Sequence, residues 1–566
     1  MVSQILLPNG ASITNSYDAL ARLTQTTLNN YWGHPLDGYS HQYDPLGLRT
    51  NIVRNLGLTT STVTAGYDSI GQLTSWSAKE SGGALRQNEQ LGFNYDAAHN
   101  LHSRTSGALS QTFNTDAANE LTSVTRSGTF TLSGATPAPA TNITVNGQAA
   151  QTYGDFTFAR TNLTLANGNN TFTNVAQNTY GVVVTNTFTV NLPSSVSLNS
   201  DGNGSLTNDG ARTFGYDSEN QLTNVMVAGQ WQSSFVYDGL NRRRIARDYS
   251  WSGSAWVLTN EVHYIYDGNL VIQERDTNNN PLVTYTRGLD LSGDLWDAGG
   301  IGGLLARTDA NGSTFYHEDG MGNITALMDS HQNIAGRYLY SPFGKLLGQW
   351  GTLADANTMR FSSKPVHNGI YDFGFRPYAP DFGRFLNQDP IQEAGGINLY
   401  GFVANNPLFW IDPFGLDPLG HHLIPRSIWN KLSDRVKNVW DKNPKNRLDA
   451  KGYKAHNGKN YGPKGGPKVK CDKYGKAVND ELNKYLEDKG VKSAEDLSDK
   501  ELQDFADKIR NTTDGDIGNY NEGVADEIAE AEASAAEGAE AAEVAEALEV
   551  AVEVDEAVVT AGAIIK

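Results

Sequence analysis

A short motif recurs along the first half of the chain: an aromatic or hydroxyl-bearing residue and aspartate, then a turn, then leucine. Its copies begin at Tyr17-Asp18, Tyr43-Asp44, Tyr67-Asp68, Tyr95-Asp96, Thr115-Asp116, Tyr216-Asp217, Tyr237-Asp238 and Tyr266-Asp267. Neighbouring copies mostly lie roughly 20 to 30 residues apart, a period typical of repeat architectures. Each copy predicts one β-hairpin whose turn starts at the aspartate. Because a lone hairpin is barely stable, the copies must stack and bury their tyrosines and leucines against one another.

Composition supports a mainly β fold in several domains. The chain has 566 residues, more than one hydrophobic core usually organises, and 58 of them are glycine. Cys471 is the single cysteine, so the fold cannot rely on an intrachain disulfide. We expect no signal peptide, because the N-terminus lacks a basic start and a longer apolar core. We also expect no membrane-spanning segment, because no apolar run approaches roughly 18 residues.

About a hundred residues interrupt the repeats between Thr115-Asp116 and Tyr216-Asp217. Alternating Thr, Asn and Val residues there predict strands, and prolines at 137, 139 and 193 mark the ends of the segment. The pattern favours an inserted immunoglobulin-like sandwich.

The repeats resemble the Rhs/YD-repeat family, whose repeats wind into a spiralling β-sheet that encloses a hollow shell. The segment 338-416 strengthens the resemblance, because it is similar to the family's core-associated domain. Its matching words are Tyr338-Leu-Tyr-Ser-Pro-Phe-Gly344, Gly374-Phe-Arg-Pro-Tyr-Ala-Pro-Asp-Phe-Gly-Arg-Phe-Leu-Asn-Gln-Asp-Pro390, Gly395-Gly-Ile-Asn-Leu-Tyr-Gly401, Asn405-Asn-Pro407 and Asp412-Pro-Phe-Gly-Leu416. In the family, this region closes one end of the shell.

The resemblance also implies that the chain cuts itself after Leu416, at the bond to Asp417. By the same resemblance, Arg376, Asp389 and Asp412 would carry out an aspartyl-type autoproteolysis. Two carboxylates that meet in space share a proton, so one can activate water while the other protonates the carbonyl or the leaving amine. The alternative is that both Asp-Pro pairs only make turns.

The segment after residue 417 resembles the GHH group of HNH/endonuclease VII-type toxin nucleases, which place a β-hairpin and a helix around one metal ion. The similarity rests on Gly420-His-His-Leu-Ile-Pro-Arg426, on Asn443-Pro-Lys-Asn446, on His456-Asn-Gly458 and on a predicted helix, Tyr474-Gly-Lys-Ala-Val-Asn-Asp-Glu-Leu-Asn-Lys-Tyr-Leu486.

The nuclease resemblance implies a role for each polar residue. His421 is expected to bind the metal and His422 to act as general base, with Asn446, rather than Asn443, orienting His422. His456 would be a second ligand, and Cys471 stands where a further histidine is usual. A thiolate favours Zn²⁺ over Mg²⁺.

Charge is divided unevenly along this region. Fifteen Lys and Arg residues oppose six Asp residues over 417-480, whereas 521-566 carries thirteen acidic residues and one lysine. The basic part is suited to binding nucleic-acid phosphates in a salt-dependent manner, and the acidic tail is a candidate mimic of that ligand.

We therefore expect a bacterial polymorphic toxin whose shell carries a metal-dependent nuclease acting on DNA. An inactive, purely structural tip and an RNase are the alternatives. The family implies an immunity protein, export from the bacterial cytoplasm by secretion machinery or with an upstream shell component, and action in the cytoplasm of a target cell. The predicted parts are shell at 1-130, sandwich at 131-200, shell at 201-337, plug at 338-416, nuclease at 417-520 and helical acidic tail at 521-566.

Overall fold

The computed structural model describes residues 2-416, apart from 21, 58, 294 and 395, and then 421-422, 447-448, 471-491, 494-510 and 512. The chain divides into two compact units. The first comprises Met1–Val236 and Arg243–Pro418, and the second comprises Tyr237–Arg242 and Leu419–Lys566. The predictions for Asn446, His456, Asp417 and the acidic tail concern residues outside the described ranges.

Eleven antiparallel strands follow one another in the first sheet, as the repeats predict. They are β1 Gln4–Leu6, β2 Ser12–Tyr17, β3 Leu23–Asn29, β4 Pro35–Tyr43, β5 Arg49–Asn55, β6 Thr60–Tyr67, β7 Leu73–Glu80, β8 Leu85–Tyr95, β9 Leu101–Ser106, β10 Leu109–Thr115 and β11 Leu121–Gly128. The repeat tyrosines of β2, β4, β6 and β8 stand at the last position of their strands. The aspartate that follows each one therefore starts the connection to the next strand.

The repeat aspartate organises its turn through its side chain. Asp68 Oδ1 accepts hydrogen bonds from the backbone N–H groups of Ile70 at 3.0 Å and Gln72 at 2.9 Å. The fourth turn residue, Gly71, has a φ of +86°, and His99 occupies the same position of the next repeat with a φ of +61°. The turn thus requires an acceptor at its first position and a left-handed residue at its fourth.

The repeat tyrosine connects one repeat to the preceding one. Tyr67 donates its hydroxyl to the carbonyl oxygen of Arg49, the first residue of β5, at 2.6 Å. Tyr95 makes the equivalent bond to Leu73 at 2.7 Å. The motif is therefore architectural: its aspartate closes a hairpin and its tyrosine ties that hairpin to its neighbour.

The interruption of the repeats forms two small sheets around a core of its own. Its strands are β12 Phe130–Ala135, β13 Asn142–Val145, β14 Gln148–Ala149, β15 Gln151–Thr152, β16 Thr157–Leu163, β17 Gly168–Gln177 and β18 Val183–Leu192. Three strands, in the order β12-β16-β15, share a core with four strands in the order β14-β13-β17-β18. The chain then returns as β19 Ser195–Ser197, which pairs with β11, so the insertion leaves the first sheet continuous.

A second antiparallel sheet has fourteen strands in chain order. They are β20 Asn199–Ser200, β21 Leu206–Asn208, β22 Thr213–Tyr216, β23 Leu222–Val227, β24 Trp231–Tyr237, β25 Arg243–Trp251, β26 Trp256–Asp267, β27 Leu270–Arg275, β28 Pro281–Arg287, β29 Leu304–Asp309, β30 Gly312–Glu318, β31 Ile324–Met328, β32 Ile334–Tyr340 and β33 Leu346–Trp350. Within the first unit, its late strands share a core with the start of the first sheet: Leu7, Ala11, Ile13, Leu28, Ala306, Phe315 and Met328. The predicted mainly β fold with large antiparallel sheets is confirmed.

The segment after β33 contributes four short strands and three 3₁₀ turns. The strands are β34 Val366–His367, β35 Ile370–Asp372, β36 Pro377–Ala379 and β37 Arg384–Phe385, and the turns are Phe361–Ser363, Gln392–Ala394 and Val403–Asn405. Buried aromatic rings form its core, with the Tyr378 and Phe402 centroids 4.2 Å apart.

Polar side chains of this segment bind the repeat turns of the first sheet. Asn406 Nδ2 donates to the Gly71 carbonyl at 2.7 Å, and Asn405 Nδ2 donates to the His99 carbonyl at 2.8 Å. Arg384 donates to the carbonyl of Asn119 at 2.6 Å. Three successive repeats therefore position the segment by their turn ends.

The described part of the second unit contains one short ladder and two helices. Strands β38 His421–His422 and β39 Arg447–Leu448 pair antiparallel, and helices α1 Cys471–Asp488 and α2 Asp499–Arg510 follow. The helices pack through apolar side chains, including Tyr485 and Phe505, whose rings lie 5.3 Å apart. A turn Ala494–Asp496 precedes α2.

Candidate functional site

The predicted cleavage residues of the first unit lie together in its interior. Arg376 Nη2 lies 2.8 Å from Asp389 Oδ2 and 3.7 Å from Asp412 Oδ2. All three residues are at most 4% exposed. The two carboxylates that the sequence pairs only by resemblance thus share one guanidinium, although they lie 23 residues apart in the chain.

Short elements position Arg376 and Asp389. Arg376 directly precedes β36, and its guanidinium stacks on the Phe385 ring at 3.7 Å and donates to the Leu399 carbonyl at 3.1 Å. The backbone N–H of Asp389 also donates to the Leu399 carbonyl, at 2.8 Å. A common backbone acceptor therefore fixes the arginine relative to the first carboxylate.

Asp412 forms a tight turn with the residues that lead to the predicted scission point. Its Oδ1 accepts the N–H groups of Phe414 at 3.2 Å, Gly415 at 2.8 Å and Leu416 at 3.0 Å. Gly415 has a φ of +74°, and a Cβ there would lie 3.0 Å from the backbone N of Arg376. Glycine is therefore required both for the turn and for the close approach of the arginine.

The second carboxylate oxygen of Asp412 has different surroundings from the first. Asp412 Oδ2 is buried and has no hydrogen-bond partner among the described residues. Burial raises the pKa of Asp412 to about 6, against the opposing effects of Arg376 and of the backbone donors, while Asp389 raises it further. A carboxyl with this pKa can hold a proton on Oδ2 under mildly acidic conditions and release it near neutrality.

The carbonyl groups between Asp412 and Leu416 are all bound. Lys364 Nζ donates to the Pro413 carbonyl at 2.5 Å, the Phe375 N–H donates to the Phe414 carbonyl at 3.0 Å, and Arg376 Nε donates to the Gly415 carbonyl. The backbone is therefore fixed up to the buried residue Leu416. Lys364 was not singled out from the sequence. The one available signal is that this lysine interrupts an apolar and hydroxyl-rich run that starts at Phe361.

Two candidate nuclease residues lie on one strand. His421 pairs with Leu448 and His422 with Arg447 in the ladder of β38 and β39. Cys471 begins α1, three residues before the start of the predicted helix. The predicted partners Asn446 and His456 fall outside the described residues, so the spacing of the proposed ligand set stays a prediction.

Within the described ranges, no three His, Cys, Asp or Glu side chains converge as metal ligands do, and no helix is long and apolar enough to span a bilayer. The residues predicted to bind metal offer two imidazoles and one thiolate, and this donor set suits Zn²⁺ better than Mg²⁺.

A cavity of about 610 Å³ in the first unit lies away from the carboxylate pair, and neither Asp389 nor Asp412 lines it. Its polar centre joins Ser233, Asp248 and His367, with His367 Nε2 at 2.6 Å from Asp248 and 3.3 Å from Ser233 Oγ. Because the same ring nitrogen faces both partners, the imidazole cannot relay a proton between them as in a nucleophilic triad.

Comparison with known proteins identifies relatives of this chain, although no family model matches it. It is 30% identical over 219 residues to double-stranded DNA deaminase toxin A of Burkholderia cenocepacia, a match that covers 36% of this chain and 15% of that protein. It is 27% identical over 221 residues to the probable deoxyribonuclease RhsA of Dickeya dadantii, covering 36% of this chain and 14% of that protein.

Among solved structures, a chain of the crystal structure of TcdB2-TccC3-Cdc42 aligns with 72% of this chain and 22% of its own length, at 16% identity and a TM-score of 0.34. This chain matches less than a sixth of the length of either curated relative. The sequence relatives confirm the predicted resemblance: this chain is similar to the Rhs-type toxin proteins.

Proposed function

We propose that this chain is a polymorphic toxin that cuts itself after Leu416 and so releases a C-terminal nuclease. The observation that carries the proposal is the buried site in which Asp389 and Asp412 share Arg376, while Asp412 also binds the N–H of Leu416. A turn-forming aspartate alone does not account for a second, ion-paired carboxylate at the same guanidinium.

The two carboxyl groups have different roles in the proposed cleavage. Asp389, ion-paired with Arg376, takes a proton from water as the water oxygen bonds to the carbonyl carbon of Leu416. Asp412, protonated on Oδ2, gives its proton to the leaving amine of Asp417 as the C–N bond breaks. The products are the Leu416 carboxyl group and a new amino terminus at Asp417, so one water molecule is consumed.

Asparagine substitutions test this assignment. Asp389→Asn and Asp412→Asn each remove an ionisable group at nearly constant volume, and we expect each variant to remain one chain on a denaturing gel, whereas the wild type yields fragments of 416 and 150 residues. Asp381→Asn is the matched control, since Asp381 pairs with the exposed Lys345 in the same segment.

Cleavage of Asp389→Asn and Asp412→Asn at the control rate would contradict the aspartyl mechanism. A thermal unfolding midpoint close to that of Asp381→Asn would show that the uncleaved variants are folded.

The released part is proposed to hydrolyse phosphodiester bonds, with DNA as substrate. In support, RhsA is named a probable deoxyribonuclease, His421 and His422 lie on a strand, and the segment 417-480 is basic. His422 would take the proton of the attacking water, with Asn446 orienting its ring. A divalent metal held by His421, His456 and Cys471 would stabilise the negative charge of the phosphate.

His422→Ala tests the nuclease. The full chain, after cleavage, is incubated with plasmid DNA and with RNA in the presence of Zn²⁺, Mg²⁺ or a chelator. We expect the wild type to cut DNA and His422→Ala to lose this activity by roughly 100-fold or more, as for loss of a general base. His331→Ala, at an exposed histidine of the first unit, is the control.

Equal activity of His422→Ala and wild type would contradict the assigned base. Cleavage of RNA but not of DNA would show that the substrate is RNA. No cleavage of either by a folded, metal-loaded wild type would favour a structural protein. We also propose where the toxin is made and where it acts. It is made in a bacterial cytoplasm, where a shell and an immunity protein hold it inactive. Secretion machinery then exports it, and it acts in the cytoplasm of the target cell.

A further inference from the structure

Lys364 is a buried cation that neither the repeat pattern nor the predicted cleavage residues explain. Its side chain is 7% exposed, and its Nζ donates to the carbonyl oxygens of Pro413 at 2.5 Å and Gly299 at 2.9 Å. The Phe373 and Phe414 rings lie 5.7 and 5.9 Å from the ammonium nitrogen. Burying an ammonium group is costly, so its place beside the scission loop calls for a reason.

The backbone at Gly299 packs closely against the Pro413 carbonyl, which Lys364 also binds. Gly299 has a φ of +60°, and a Cβ there would lie 2.1 Å from the Pro413 carbonyl oxygen. Lys364 therefore joins two backbone segments that can approach this closely only because Gly299 has no side chain. Its removal would free the Pro413 carbonyl, one residue after Asp412.

We propose that Lys364 is a positioning residue for self-cleavage: it fixes the backbone after Asp412, and its positive charge sets the pH above which that carboxyl group loses the proton it must donate. The inference rests on the proposed self-cleavage and deepens it. Lys364 touches no reacting atom, so its effect acts through Asp412 and through the loop to Leu416.

The charges of Lys364 and Asp412 act on each other. Burial lowers the pKa of Lys364 to about 8, and the attraction of Asp412 opposes this decrease. Because an interaction between two charges is mutual, loss of the ammonium group raises the pKa of Asp412. The other charged groups that act on the pair are Arg287, Asp290, Asp372, Arg376 and Asp389.

The test is the rate of self-cleavage as a function of pH, measured on denaturing gels after full-length chain is diluted from urea into buffers. For Lys364→Met we expect a maximal rate lower by roughly 10- to 100-fold, since small displacements in a catalytic site have effects of this size. The decline of the rate on the alkaline side should move to higher pH. Lys364→Arg keeps the charge and should keep the wild-type position of that decline.

Lys345→Met is the matched control, because Lys345 is half exposed and pairs with Asp381 in the same segment. A Lys364→Met chain with wild-type rate and pH profile would overturn the proposal. A slower chain with an unmoved alkaline decline would also overturn it, since packing alone would then explain the loss. If the wild type does not cleave under any condition, the proposed self-cleavage fails instead.

Discussion

The two carboxylate oxygens of Asp412 have different surroundings, and in the proposed cleavage one serves the fold and the other the reaction. Its Oδ1 accepts three backbone N–H groups, as a turn-forming aspartate does, whereas its buried Oδ2 has no hydrogen-bond partner among the described residues. Arg376 lies 3.7 Å from that oxygen and is closer to Asp389, at 2.8 Å. In the proposed cleavage, this asymmetry makes Asp389 the ion-paired base and Asp412 the acid.

The pH dependence of self-cleavage tests this division of roles. Because the acid must be protonated, the rate should fall as pH rises through about 6, the pKa of Asp412. The measurement is the fraction of cleaved chain with time between pH 4.5 and 8. A rate that rises with pH across this range would instead make Asp412 the base and contradict the assignment.

The residues of the candidate cleavage site differ in how far the sequence predicts them. The sequence places Arg376, Asp389 and Asp412 in one reaction by resemblance, and the folded chain brings them together. Lys364 escaped prediction because its partners are backbone carbonyls of Gly299 and Pro413, which lie 65 and 49 residues from it. Backbone acceptors carry no signature in a sequence, so only the fold reveals such a contact.

At the scale of elements, the repeat hairpin is predictable because its signals are local. The turn at the aspartate and the alternating strands follow from the motif, and β2, β4, β6 and β8 end at their repeat tyrosines. The bond from each tyrosine hydroxyl to the preceding repeat is not local and becomes visible only when the sheet is formed. Likewise, the sequence does not predict that repeat turns bind Asn405 and Asn406.

Removal of one tyrosine hydroxyl measures this connection between repeats. Tyr67→Phe leaves the Arg49 carbonyl without its donor, and we expect a loss of about 1 to 2 kcal/mol in the free energy of unfolding. Tyr180→Phe, at a tyrosine that is 90% exposed, is the control and should change stability by less than about 0.5 kcal/mol. Urea unfolding measures both; equal stabilities would contradict the structural role of the motif hydroxyl.

At the scale of the whole molecule, the proposed nuclease is released only when the bond between Leu416 and Asp417 is cleaved. The first unit builds the site mainly from the segment after β33, which repeat turns of the first sheet position. The basic segment after residue 417 then supplies the proposed nuclease. The sequence predicts this order of parts, while the complete nuclease site and the acidic tail remain predictions, because Asn446, His456 and the tail lie outside the described ranges.

The most direct test of the central claim is the sequence of the termini that the purified full-length chain produces. Intact-mass spectrometry together with N-terminal sequencing should find one fragment that ends at Leu416 and another that begins Asp417-Pro-Leu-Gly. The same preparation of Asp412→Asn should give a single mass for the chain of 566 residues. A folded wild type that stays intact, or that is cut at another bond, would contradict self-cleavage by this site.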